Sequence, residues 1–157
     1  TPWPLSQSLS AARAKKDFED MVRGYVRAML WSSTDESDDA GGEPLDKNYG
    51  PEDVAAASMK SIRRDVTRFM KANRDDIDSY CEHVQRRGDS APCMGLAGHD
   101  LWLTRNGHGA GFWDRDGVGA SGRPAGPEEL GERLSKAAKA MGTSDAYVGD
   151  DGKIYVS

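Results

Sequence analysis

Apolar residues recur at three-and-four spacing through Phe18, Met21, Val22, Tyr25, Val26, Met29 and Leu30, which predicts an amphipathic helix over 11–31. Gly24 weakens that helix locally, by about 1 kcal/mol relative to Ala. Upstream, "TPWPLSQSL" sets two prolines around a tryptophan without any period, so 1–9 reads as an extended arm. The helical period returns in Val54, Ser58 or Met59, Ile62, Val66, Phe69 and Met70, after Pro51 with Glu52 and Asp53 at the positive end of the dipole. A third helix follows Asn73 and turns Ile77, Tyr80, Cys81 and Val84 inward, so 11–86 is helical apart from its loops. Pro127 opens a fourth helix over 127–141, and Gly142 stops it.

Two stretches read instead as hairpins. In "LWLTRNGHGAGFWD", residues 101–114, Asn106-Gly107 is a strong signal for a type I′ turn, because both central residues need positive φ. Taken as the loop of a hairpin over 99–114, it sets Arg105 opposite His108 and His99 opposite Asp114. Leu101, Leu103, Ala110 and Phe112 then share the face toward the helices. At the C-terminal end, "DAYVGDDGKIYVS" places Asp-Gly between two alternating runs and predicts a second hairpin over 146–156. The sum is a single α+β domain over 10–157, with about four helices packed on a small antiparallel sheet formed by the two C-terminal hairpins.

That register marks the chemistry worth weighing. A carboxylate from Asp114 beside His99 would raise the ring's pKa and orient it for proton transfer, with His108 and Arg105 at the other end of the strip. The turn itself, Arg105, Asn106, Gly107, His108 and Gly109, is a candidate contact surface, since a histidine flanked by glycines has no packing duty. A second is the carboxylate-rich loop from Asp35 to Asp46, which includes Glu36, Asp38 and Asp39.

Composition narrows the function classes. The chain of 157 residues has 26 acidic against 21 basic side chains, a net charge of -5, and no run of basic residues. A nucleic-acid partner is therefore not expected, and the pairs Arg63-Arg64 and Arg86-Arg87 read as solvated faces. No apolar run approaches the length of a membrane span, and the first thirty residues lack the succession of a secretory signal, so a cytoplasmic chain with no membrane partner is expected. Cys81 and Cys93 read as free thiols, with a bridge over the short loop as the alternative in a secreted chain. Cys81, His83, Cys93 and His99 lack paired zinc-ligand spacing, and the acidic loop lacks EF-hand spacing, so neither metal nor cofactor is expected. The patterns G-x-S-x-G, H-E-x-x-H and Walker A are absent, and "GHGAG" is not a dinucleotide fingerprint.

The segments "LWSSTDES", "EPLDKNY", "AGHDLWLTRNGHGAGFWDR", "GERLSKAAKAMG" and "AYVGDDGKIY" together resemble a family of small bacteriophage and prophage proteins of unassigned function. The resemblance runs from Phe18 to Tyr155 and is strongest over Gly98 to Arg115. Residues 1–15 fall outside it, and "DDAGG" lengthens the acidic loop beyond the family pattern. It implies expression inside a bacterial cell and an accessory protein that binds a host protein, such as a defence or regulatory component. It transfers no catalytic residue. The competing expectation is a small enzyme or ligand-binding protein built on His99, Arg105, His108 and Asp114.

Overall fold

The heart of the quoted motif is a helix. In the computed structural model, which describes residues 5–37, 42–86, 92–108, 111–112 and 130–157, Cys93–Arg105 is α-helical and none of the described residues of the expected hairpin lies in a strand. The reason lies in burial. Met94, Ala97, Gly98, Asp100, Leu101, Trp102, Leu103, Thr104 and Arg105 are all buried, so this helix is covered around most of its circumference and shows no amphipathic stripe. A short apolar run such as "LWLT" cannot be told from a buried strand by period alone.

In chain order the described elements are α1 (Leu5–Ser32), β1 (Thr34–Asp35), β2 (Glu43–Pro44), 3₁₀ turns at Leu45–Lys47 and Pro51–Asp53, and α2 (Ala56–Ala72). They continue with α3 (Arg74–Arg86), α4 (Cys93–Arg105), α5 (Leu130–Ala140), β3 (Ala146–Val148) and β4 (Ile154–Val156). The fold is a mostly helical single domain with two small antiparallel ribbons, β1 with β2 and β3 with β4. The expected sheet of two C-terminal hairpins is thus corrected: one ribbon flanks the acidic loop and only the other is C-terminal. That C-terminal hairpin matches expectation. Gly149 pairs with Lys153, and Gly152, at φ +79°, completes the turn.

The expected arm over 1–9 is corrected for its second half, since α1 begins at Leu5. The helix expected over 127–141 is observed as Leu130–Ala140, with Pro127, Glu128 and Glu129 outside the described residues. Its glycine stop holds: Gly142 adopts φ +79° and donates to the carbonyl of Lys139.

Helices α1 and α4 meet backbone to backbone. A Cβ added to Gly24 would stand 1.8 Å from the carbonyl oxygen of Gly95, and one added to Gly98 would stand 2.0 Å from that of Met21. Gly24 therefore trades local helix propensity for a close crossing of α1 and α4. Around it pack Tyr25 edge-on to Trp102, with ring centroids 5.3 Å apart, and Phe112 between Phe69 and Tyr80.

Cys81 of α3 and Cys93 at the start of α4 form a disulfide, with Cα atoms 5.2 Å apart. The reading as free thiols is corrected. Helix α3 buries Ile77, Tyr80, Cys81 and Val84 as expected, and that burial delivers Cys81 to the end of α4.

Candidate functional site

Asn106-Gly107 closes a helix where a hairpin turn was expected. The Gly107 amide donates to Thr104 O at 3.1 Å and the His108 amide to Leu103 O at 3.0 Å, with Gly107 at φ +70°. This is the paired bonding of a Schellman C-cap, which needs the same positive-φ residue as a type I′ turn. The Asn106 amide group donates to Trp102 O at 3.0 Å and accepts from the Ser144 amide at 2.8 Å, so it ties the end of α4 to the segment leading into β3. His108 is left exposed just beyond.

Arg105 is part of the core. Its Nε donates to Gly142 O at 2.8 Å, one terminal nitrogen to Met141 O at 3.2 Å, and the other to Tyr25 Oη and Asp65 Oδ2, both at 3.0 Å. A buried guanidinium is tolerable because its donors are matched, and its charge lies at the carbonyl end of α5. Burial raises the Tyr25 pKa above its ordinary value, while the charge of Arg105 opposes that rise. As a free contact at an exposed turn, Arg105 is corrected.

The hairpin register that set His99 opposite Asp114 is replaced over 99–105 by helix, and Asp114 lies outside the described residues. His99 lies on α4, its ring stacked on Trp31 with centroids 6.0 Å apart, and its Nδ1 is buried without a hydrogen-bond partner. A carboxylate oxygen of the adjacent Asp100 is 3.8 Å from that nitrogen, too far for a hydrogen bond. Asp100 itself is buried and accepts from Tyr80 Oη at 2.7 Å. Gly109 and Asp114 lie outside the described residues, as do Asp38 and Asp39 of the acidic loop.

Two of the expected surfaces do meet. Glu36 from the acidic loop and Asn106 and His108 from the end of α4 line one cleft of about 760 Å³, closed on its far side by the segment 143–148. Trp102 reaches its wall and donates from Nε1 to Ser32 Oγ at 2.7 Å. Asp145, Tyr147 and several hydroxyl side chains complete it, and none of the described lining residues is Lys or Arg. Asp35 stands behind Glu36, its carboxyl held below the usual range by hydrogen bonds from the Ser37 hydroxyl and amide. The lining from β3 was not visible in the sequence, where 146–156 carried only a hairpin signal.

The strand β3 offers backbone to this cleft. The ladder bonds Ser157 N–H to Asp145 O and Gly149 N–H to Lys153 O fix the phase, so the amides and carbonyls of Ala146 and Val148 point away from β4. Neither makes a backbone hydrogen bond to another described residue. The cleft thus presents carboxylates, hydroxyls, one exposed imidazole and a short open strand edge. Among the described residues no group of three or more His, Cys, Asp or Glu side chains could hold a metal ion. No described helix is long and apolar enough to cross a membrane. Comparison with known protein families, curated proteins and solved structures finds no match.

Proposed function

We propose that this chain is a small accessory protein of phage or prophage origin that acts by binding a host protein through the cleft between Glu36, His108 and β3. One observation carries the reading: Glu36 and His108, drawn from separate parts of the chain, line the same open polar cleft. Of the residues that an enzyme at the motif would use, His99, Arg105, His108 and Asp114, Arg105 is occupied with internal bonds and His99 is stacked on Trp31, while Asp114 lies outside the described residues. An open strand edge beside exposed polar side chains suits an extended segment of a partner, because main-chain bonds supply affinity and the side chains supply selection. The phage origin rests on the motif resemblance alone.

The setting implied by that resemblance is the host cytoplasm. The Cys81–Cys93 bridge fits an oxidising compartment instead. Alkylation of free thiols at the moment of cell lysis separates the two, since a cytoplasmic pool carries two modified cysteines per chain and an oxidised pool none.

The test of function is a tagged pull-down from bacterial lysate with the wild type and with His108→Ala and Glu36→Gln, each first shown to melt like the wild type. A host protein recovered in stoichiometric amount by the wild type and depleted about tenfold by either substitution supports the reading. Equal recovery by all three proteins, or no enriched protein from several hosts, overturns it.

A further inference from the structure

Helix α2 gathers positive charge in an acidic protein. Of its ionisable side chains only Asp65 is acidic, against Lys60, Arg63, Arg64, Arg68 and Lys71. With 3.6 residues per turn, Lys60, Arg64, Arg68 and Lys71 fall within about a quarter of the helix circumference. The apolar residues Ile62, Val66 and Phe69 face the core on the other side. All four of these cations are exposed, and none makes an ion pair with a described residue. They border a shallow groove of about 650 Å³ between α2 and Phe18 of α1.

Among the described residues, the acidic groups of α1 and α2 nearest this face in sequence are engaged elsewhere. Asp65 turns inward to Arg105. Glu19 is held by the two terminal nitrogens of Arg63, whose guanidinium lies 5.0 Å over the Phe18 ring. Asp17 is bound by Arg74. Like charges at i, i+4 destabilise a helix, so Lys60, Arg64 and Arg68 repel one another until an anion lies across them. The net charge of -5 does not cancel the local field, because carboxylates more than about 8–10 Å away are screened at physiological salt.

We infer that this face of α2 binds the phosphate backbone of a nucleic-acid strand. Successive cations at four-residue spacing stand about 6 Å apart along the axis, and the row extends over roughly 16 Å, a linear array suited to a linear polyanion. An anionic membrane is the poorer match, since interfacial helices insert an apolar face and that of α2 is already buried in the core. The search for basic runs misses such a surface because its members are separated by the inward-facing residues of the helix. The inference does not depend on the cleft.

The test is fluorescence anisotropy of a labelled single-stranded oligonucleotide with the full chain, titrated from low to physiological salt, beside vesicles containing phosphatidylserine. Four phosphate contacts give a slope of log affinity against log salt of about -3 for a single strand. Arg64→Gln with Arg68→Gln, which replaces exposed side chains and leaves the melting curve unchanged, lowers affinity about tenfold at low salt and roughly halves the slope. The control pair Arg27→Gln with Lys153→Gln, exposed and outside the row, leaves both unchanged. Absence of salt-dependent binding by the wild type, equal losses in the control pair, or binding to vesicles without binding to the oligonucleotide would overturn the inference.

Discussion

Arg105 and Asp65 form an ion pair at 3.0 Å in which the guanidinium side chain is only 5% exposed and the carboxylate 27%. The asymmetry sets their different worth. Removing Arg105 strips donors from Tyr25, Met141 and Gly142 together, whereas Asp65 can turn to water. We expect Arg105→Ala to lower unfolding free energy by about 3–5 kcal/mol, as for other broken buried pairs. Asp65→Asn should cost less, about 1–2 kcal/mol, because one hydrogen bond to the guanidinium survives. Arg105→Lys should not rescue, since an ammonium cannot span the same planar set of acceptors. Denaturant titration of the three variants checks the order.

The same cluster predicts an alkaline limb. Burial raises the Tyr25 pKa above the ordinary tyrosine value of 10.0, so the folded protein retains that phenol proton where the unfolded chain has begun to lose it. The sign follows from linkage: stability is fully present below pH 10 and is lost as pH rises through the window between the unfolded and the raised folded value. Tyr155 is also raised, by its bond to the Asp151 carboxylate, so the wild-type curve contains both groups. Tyr25→Phe should flatten only part of the decline above pH 10. Chemical denaturation of wild type and variant at pH 8 and above checks this, and identical slopes would remove Tyr25 from the account.

Glycines that look alike in sequence should behave differently. Gly98→Ala forces a methyl into the Met21 carbonyl, and only a shift of α1 from α4 relieves it. Overpacking of this kind costs about 1–3 kcal/mol or more. Gly107→Ala meets open space and costs only the positive-φ strain, about 1 kcal/mol. Thermal melts of both variants test the contrast. A larger loss at Gly107 than at Gly98 would contradict the helix crossing described above.

Much of this fold was legible where one face of an element is buried and the other wet. The apolar sets of α2 and α3 and the Asp-Gly hairpin follow from period and turn chemistry, and they stand as expected. Helix α4 escaped because burial on nearly all sides erases the period, and because Asn-Gly satisfies a hairpin turn and a helix C-cap equally well. The candidate site was half legible. His108 is exposed as expected, but its place beside Glu36 in the lining of one cleft depends on tertiary approach. Arg105 and His99 looked reactive because polar residues in an apolar run suggest chemistry. In the helix the same residues are a core cation and a ring stacked on Trp31.

The disulfide carries the last prediction. Cys81 and Cys93 are separated by twelve positions, and closing a loop of that size removes unfolded-state entropy worth about 3 kcal/mol. Reduction should therefore lower the melting temperature without removing the core contacts of Ile77, Tyr80 and Val84, which hold α3 in place independently. Cys81→Ser with Cys93→Ser should melt like the reduced wild type and should no longer respond to reductant. If reduction leaves the melting temperature unchanged and two thiols titrate in the untreated protein, the bridge is not formed in solution. The packing of α3 on α4 then rests on side chains alone.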